Sequence, residues 1–320
     1  MRADWRTWLR VAIAVVIVVL VFQFVAEKWA EIRLSAASLR PSWFGLILAS
    51  LCVFAGYAVL IAAWRLLLRT WSSPLSVRDA TRIWFVSSLG KYVPGKVWSI
   101  GAMALLAKEA GASPLAATGS SIIMQLVNIA AGFAVIALAG AGELLAAYPA
   151  LRVGAWTTLL ATLVGLAYGP AILVWAAQQG TRLLRQPMPA MPVIARATLL
   201  LVFAANVVAW IAYGVGFGLF WSALLGRGGG VSVAALAVYT ASYLLGFLAL
   251  VVPGGLGVRE AVLTGLLISL RLATPADAAL LAAASRIWLT VLEILPGLAF
   301  LPGTSLRRRT LTSPPDGPAV

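Results

Sequence analysis

The sequence predicts an all-α, polytopic transmembrane helix bundle with two interrupted helical segments. Of the 320 residues, 62% are hydrophobic and only 11% are charged, and the mean hydropathy is +0.98. Soluble domains are nearer half apolar and a quarter charged, so this composition excludes a soluble globule. A membrane helix needs about 20 predominantly apolar residues, and the apolar runs of this chain supply about six to eight crossings.

Six apolar runs are predicted spans, and two further segments are apolar but broken by Pro-Gly pairs. The predicted spans cover residues 11–26, 43–68, 115–145, 156–177, 197–225 and 276–301. The interrupted segments cover residues 83–107 and 234–272. The first span follows Arg2, Arg6 and Arg10, as a signal peptide would, but no small-residue cleavage site follows it. We therefore expect an uncleaved first span.

The distribution of basic residues predicts the topology, because cytoplasmic loops carry the excess of lysine and arginine. With a cytoplasmic N-terminus, thirteen basic residues lie on the cytoplasmic side and six on the other. Both termini are then cytoplasmic, and we expect the protein to lie in the cytoplasmic (inner) membrane. This layout requires each interrupted segment either to enter and leave on one side, as a re-entrant hairpin, or to cross twice. We expect one membrane domain, residues 1–306, and a basic, disordered cytoplasmic tail, residues 307–320.

The two interrupted segments resemble each other. The first contains LGKYVPGK at residues 89–96, and the second contains LGFLALVVPGGLGVRE at residues 245–260. Short hydrophobic segments broken by glycine and proline at matching positions of two halves indicate the binding site of secondary transporters. A single Pro-Gly pair more often only ends a helix at the interface. Two in the same register favour the functional interpretation.

The spans that follow the two segments also match. Pro114 lies twenty residues after Pro94, and Pro275 lies twenty-two residues after Pro253. Eleven residues beyond Pro114 and Pro275, the chain places Gln125 and Arg286. Because the predicted topology gives the two copies opposite orientations, the pattern predicts an inverted repeat.

The polar residues within the apolar body are the candidates for function. A charge near the bilayer centre costs roughly 2.5 to 3.5 kcal/mol on insertion scales, so it must face protein or a water-filled cavity. The predicted substrate-binding residues are Lys91, Lys96, Arg259, Glu260, Arg286, Glu293 and the neutral Gln125. The predicted structural hinges are Pro94, Gly95, Pro253, Gly254, Gly255 and Gly257. Four of the six charges are cationic and helix N-termini follow both breaks, so the set favours an anion such as a phosphate.

A structural role is the alternative for each of these charges. Arg259 and Glu260 are adjacent and cannot pair with each other by the usual helical spacing, so each needs another partner. Arg286 and Glu293 lie two turns apart on one helix face and could flank one cavity. Lys91 and Lys96 could instead extend to the interface. An ion-pair network without a ligand therefore stays open at this stage.

Other function classes are disfavoured by what the chain lacks. Cys52 is the single cysteine and histidine is absent, which removes disulfides, histidine metal sites and the usual proton shuttle. No nucleophile and base pair stands out, so we expect a protein that is not an enzyme and needs no metal or cofactor. The net charge of +14 comes mainly from arginines that flank apolar runs, so we expect no nucleic-acid partner.

Three sequence elements resemble one known family. These are LGKYVPGKVW at 89–98, PGGLGVREA at 253–261 and SRIWLTVLEILPG at 285–297. They are similar to the lysylphosphatidylglycerol synthase transmembrane, or flippase-like, family, over nearly the whole chain. That family includes the N-terminal membrane half of the multiple peptide resistance factor, which moves aminoacylated phosphatidylglycerol between leaflets. The resemblance implies re-entrant helices between pseudo-symmetric halves. The soluble synthase domain does not follow residue 309, so the resemblance implies translocation rather than synthesis.

The leading hypothesis is thus a flippase-like carrier for an anionic phospholipid or a polyprenyl-phosphate-linked lipid. In it, Lys91, Lys96, Arg259 and Arg286 contact the phosphate, and Glu260 and Glu293 orient the arginines or contact a cationic headgroup. The alternative is a membrane scaffold that recruits an envelope-biosynthesis enzyme, such as a lipid-modifying or glycosyl-transferring one. A membrane-embedded transferase is a third hypothesis.

Overall fold

The structure, a computed structural model, describes residues 41–92, 97–140, 142–184, 194–226, 230–249, 255 and 257–300. Within these ranges the chain forms ten α-helices and no strand. The helices are α1 (Trp43–Thr70), α2 (Val77–Ser88), α3 (Val97–Glu109), α4 (Pro114–Ala139), α5 (Glu143–Ala147), α6 (Pro149–Leu184), α7 (Arg196–Leu225), α8 (Val233–Leu248), α9 (Val258–Ser269) and α10 (Pro275–Phe300). A short 3₁₀ helix, Leu89–Tyr92, follows α2 directly.

The all-helical prediction is confirmed for the described residues. By length and composition, α1, α4, α7 and α10 can each cross a membrane. The predicted span 115–145 is interrupted, because α4 ends at Ala139 and the short α5 begins at Glu143. The predicted span 156–177 lies within the longer α6. The predicted first span, residues 11–26, and the tail, 307–320, lie outside the described residues.

Hydroxyl side chains cap the starts of five of the described helices. Ser42, Ser76, Ser113 and Ser232 each accept a hydrogen bond from the backbone N–H three residues on, at the starts of α1, α2, α4 and α8. Thr274 accepts one from Asp277 N in the same way at the start of α10. Such caps satisfy backbone donors that have no partner within the helix.

Helices α1 and α7 pack closely along each other, and small residues make this possible. A Cβ at Gly45 would lie 2.7 Å from Ala223 Cβ, and one at Gly56 would lie 2.5 Å from the Tyr213 ring. Close packing of this kind drives helix association in membranes, where lipid is as apolar as leucine. Tyr57 and Tyr213, one from each helix, meet edge to face at 5.6 Å between ring centroids. This pair adjoins the cavity described below.

The two interrupted segments each place two short helices side by side. Helix α2 packs on α3, and α8 packs on α9. Gly90 and Gly246 allow the close approach: a Cβ at Gly90 would lie 2.9 Å from Ser99 N, and one at Gly246 would lie 2.7 Å from Arg259 Cβ. Helix α10 packs on α2, and α4 packs on α8. Each broken segment is thus in contact with the long helix that follows the other.

Candidate functional site

A cavity of about 380 Å³ lies among these helices. Its lining includes five of the seven predicted substrate-binding residues, namely Lys91, Gln125, Arg259, Arg286 and Glu293. Glu260 does not line the cavity but contacts a residue that does. Lys96 lies outside the described residues. Residues that are separated by about 200 positions in the sequence therefore come together at one site.

Glu293 on α10 connects this helix to the first half of the chain. Its carboxylate forms an ion pair with Nζ of Lys91, a residue that directly follows α2. It also accepts a hydrogen bond of 2.8 Å from the Tyr57 hydroxyl on α1. The Glu293 side chain is buried, whereas that of Lys91 is about one third exposed. Glu293 is thus already engaged by a cation and a hydroxyl.

Glu260 forms an ion pair with Arg286 and also caps its own helix. One carboxylate oxygen lies 3.7 Å from Arg286 Nη1, and the other accepts a hydrogen bond of 2.7 Å from Gly257 N. The second contact places a negative charge at the N-terminus of α9, where it is favoured by the helix dipole. The sequence predicted that this helix end faces a ligand, but Glu260 already accepts the hydrogen bond that Gly257 N donates. Glu260 therefore acts on the cavity through Arg286.

Arg259 differs from the other cations of the cavity. Arg259 is only 4% exposed. Its guanidinium lies 5.5 Å from the ring centroid of Tyr239 and 5.0 Å from that of Tyr243. Among the described residues, its Nη2 has no hydrogen-bond acceptor and its charge has no acidic partner. Aromatic faces attract a guanidinium but do not replace an acceptor in its plane. Arg259 can therefore bind an oxyanion that enters the cavity.

The predicted hinge residues are described only in part. Gly255 and Gly257 have φ angles of +67° and +80°, which favour glycine. A Cβ at Gly255 would also lie 2.6 Å from Gly246 O. These two glycines thus let the chain turn between α8 and α9. Pro94, Gly95, Pro253 and Gly254 lie outside the described residues.

Neutral polar residues complete the lining, and Asn206, Tyr57 and Tyr213 were not predicted. Asn128 Nδ2 on α4 donates to Asn206 Oδ1 on α7 at 3.0 Å, and Asn206 Nδ2 donates to Val202 O at 2.8 Å. Asn206 is fully buried in an apolar helix, so its polarity alone could have marked it. Tyr57 and Tyr213 are harder to find, because tyrosine is common in membrane helices near the interface.

The described residues contain no group of three or more Cys, Asp or Glu side chains that could hold a metal ion. The cavity is instead lined by cations, the Glu293 carboxylate, amides, hydroxyls, aromatic rings and apolar side chains. Such a lining, enclosed by apolar helices that can cross a bilayer, defines a multi-pass membrane protein with an internal polar site.

The family comparison agrees with this class. The family described as the lysylphosphatidylglycerol synthase TM region matches residues 7–297, and the chain belongs to this family. Neither the search of curated proteins nor the search of solved structures found a match.

Proposed function

We propose that this protein moves a lipid with an anionic, phosphate-containing headgroup across the cytoplasmic membrane. The observation that carries the proposal is Arg259, a buried guanidinium that lines the cavity and has no acidic partner among the described residues. A buried charge is costly unless it is paired, so a site of this kind favours an anionic ligand. Phosphate oxygens match the planar donors of arginine.

The charge balance of the cavity supports the same conclusion. Lys91 lies against Glu293, and Arg286 lies against Glu260. Arg259 then leaves one positive charge in excess among the described residues of the site. A headgroup with one phosphate charge would balance this excess, and its acyl or prenyl chains would stay in the lipid.

An inverted repeat of re-entrant segments is part of the proposal. A constant offset of 156 residues relates Tyr57 to Tyr213, the cap Ser76 to Ser232, and Gly90 to Gly246. Helices α2, α3, α8 and α9 contain 12 to 16 residues, which corresponds to lengths of about 18 to 24 Å at 1.5 Å per residue. These lengths are below the roughly 30 Å of the hydrocarbon core. Two half-length hairpins that enter from opposite leaflets would bring the charges of the cavity near the middle of the membrane.

Cysteine labelling tests this arrangement and the sidedness of the loops on which the predicted cytoplasmic termini depend. In a Cys52→Ser background, we expect Val77→Cys and Ala110→Cys to react with an impermeant maleimide from the cytoplasmic side. Val233→Cys and Arg271→Cys should react from the opposite side. Labelling of Val77→Cys and Ala110→Cys from different sides would contradict a re-entrant first segment.

Reconstitution tests the transport itself. Purified protein in proteoliposomes should make a fluorescent phosphatidylglycerol in the inner leaflet accessible to dithionite faster than in protein-free vesicles. Arg259→Ala and Arg286→Ala should slow this movement, whereas Arg152→Ala, at an exposed position of α6, should not. Unchanged transport in both cavity variants would show that the assigned site is wrong.

The proposal makes the protein a carrier and not an enzyme. Product formation by the purified protein from a lipid-linked donor would contradict it. A stoichiometric enzyme partner, together with no lipid movement by the pure protein, would favour the scaffold hypothesis instead.

A further inference from the structure

The cavity is lined by two chemically different sets of side chains. The cations Arg259, Arg286 and Lys91 lie on α9, on α10 and directly after α2. Uncharged hydrogen-bonding groups line it from α2, α4 and α7: Ser87, Ser88, Gln125, Asn128 and Asn206. A phosphate alone would use the first set and leave the second without a function.

The neutral set retains hydrogen-bonding capacity. Gln125 lies mid-way along α4, lines the cavity, and forms no hydrogen bond with the described residues. Asn128 Nδ2 donates a hydrogen bond to Asn206, but the side-chain oxygen of Asn128 has no donor among these residues. The buried Tyr213 hydroxyl likewise has no partner there. A buried hydroxyl such as that of Tyr213 normally has a hydrogen-bond partner, so this part of the lining favours a ligand that carries hydroxyl groups.

The acidic groups near the cavity do not offer a place for an amine. Glu293 is held by Lys91 and Tyr57, and Glu260 by Arg286 and Gly257. An ammonium group in the headgroup would have to displace one of these cations. The excess positive charge at Arg259 would also repel it.

Aromatic side chains lie beside the neutral set. Trp84 on α2 and Trp210 on α7 both line the cavity, and Trp210 Nε1 donates to Asn128 O at 3.0 Å. Flat aromatic faces pack well on the C–H face of a polyol or sugar ring, while amides bind its hydroxyls. The volume of about 380 Å³ lies at the lower end of the roughly 300 to 1,000 Å³ typical of small-molecule sites, which suits a single ring.

We infer that the headgroup is a phosphodiester that carries an uncharged, hydroxyl-rich group, a polyol or a single sugar ring. Arg259 binds the phosphate, and Gln125, Asn128 and Tyr213 bind the hydroxyls. This inference rests on the proposed transport of anionic lipids, but it selects among them.

Lipid competition tests the selection. The full-length protein in nanodiscs would be exposed to phosphatidylinositol, phosphatidylglycerol, phosphatidic acid, phosphatidylserine and phosphatidylethanolamine, and bound lipid would be quantified by native mass spectrometry. We expect phosphatidylinositol and phosphatidylglycerol to exceed phosphatidic acid and phosphatidylserine by about fivefold, the ratio that one ordinary hydrogen bond supplies. Phosphatidylethanolamine should bind least. Displacement of bound lipid by micromolar myo-inositol 1-phosphate would instead assign the site to a soluble phosphate ester.

Gln125→Leu isolates the hydroxyl contacts. It should lower the ratio of phosphatidylinositol to phosphatidic acid while phosphatidic acid still binds. Leu126→Ala, at an exposed neighbouring position outside the cavity lining, should leave the ratio unchanged. Equal binding of all anionic lipids by the unaltered protein would overturn this inference and leave the proposed transport standing. Absence of any preference for anionic lipids would overturn both.

Discussion

Arg259 is the most direct test of the cavity, because its charge has no acidic partner among the described residues. The substitution Arg259→Gln removes the charge but keeps a side chain that can form hydrogen bonds. A hydrogen bond to a charged group contributes about 1.5 to 3 kcal/mol, and each 1.4 kcal/mol is about a tenfold change in affinity. We therefore expect the Kd for phosphatidylglycerol to rise by roughly 10- to 150-fold.

Arg259→Lys separates charge from geometry. Lysine keeps the charge and the attraction to the Tyr239 and Tyr243 rings, but it cannot donate two parallel hydrogen bonds to a phosphate. Its Kd should lie between those of the unaltered protein and of Arg259→Gln. Lipid titration of protein in nanodiscs measures all three.

Loss of the aromatic contacts would also lower stability, so a fold control is required. Each cation-π contact contributes about 0.5 to 2 kcal/mol. The melting temperature of Arg259→Gln reports this effect separately from binding, and Arg152→Gln, at an exposed position, is the matched control for loss of one arginine. If Arg259→Gln remains folded and its Kd stays within about twofold of the unaltered protein, the guanidinium does not bind the headgroup.

Two further predictions concern stability. Glu293→Gln removes the carboxylate charge that faces Lys91, so we expect the free energy of unfolding to fall by up to about 3 kcal/mol. The double variant with Lys91→Met should recover part of this loss. Shifts in melting temperature measure both effects. Gly246→Ala places a methyl group 2.7 Å from Arg259 Cβ and should lower the free energy of unfolding by about 1 to 3 kcal/mol. Gly265→Ala meets no atom within 4 Å and should be neutral or slightly stabilising.

The results that would contradict these two predictions are specific. Strictly additive losses in the Lys91 and Glu293 variants would mean that the two side chains do not interact energetically. A Gly246→Ala variant as stable as Gly265→Ala would mean that the two arms of the second broken segment do not approach as closely as the structure shows.

The sequence was sufficient to identify most of the cavity-lining charges, because the bilayer makes each of them conspicuous. Arg259, Arg286 and Glu293 are polar in apolar surroundings, and Gln125 and Arg286 each lie eleven residues after a proline that begins a long helix. Asn206 is equally conspicuous and was overlooked. Tyr57 carries no such signal, since its role comes only from a contact with Glu293, 236 residues away.

Composition and periodicity alone determined that this chain is a helical membrane protein, because the bilayer core permits few backbone arrangements and demands long apolar runs. The Pro-Gly pairs also predicted two interrupted segments, but the break at Gly140, which separates α4 from α5, was not predicted. Only the tertiary structure decided which charges neutralise each other. Glu260 lies against Arg286 and Glu293 against Lys91, while Arg259 lies against two tyrosines. Those pairings depend on how α9 and α10 pack against the rest of the bundle, and no local rule of sequence fixes contacts of that range.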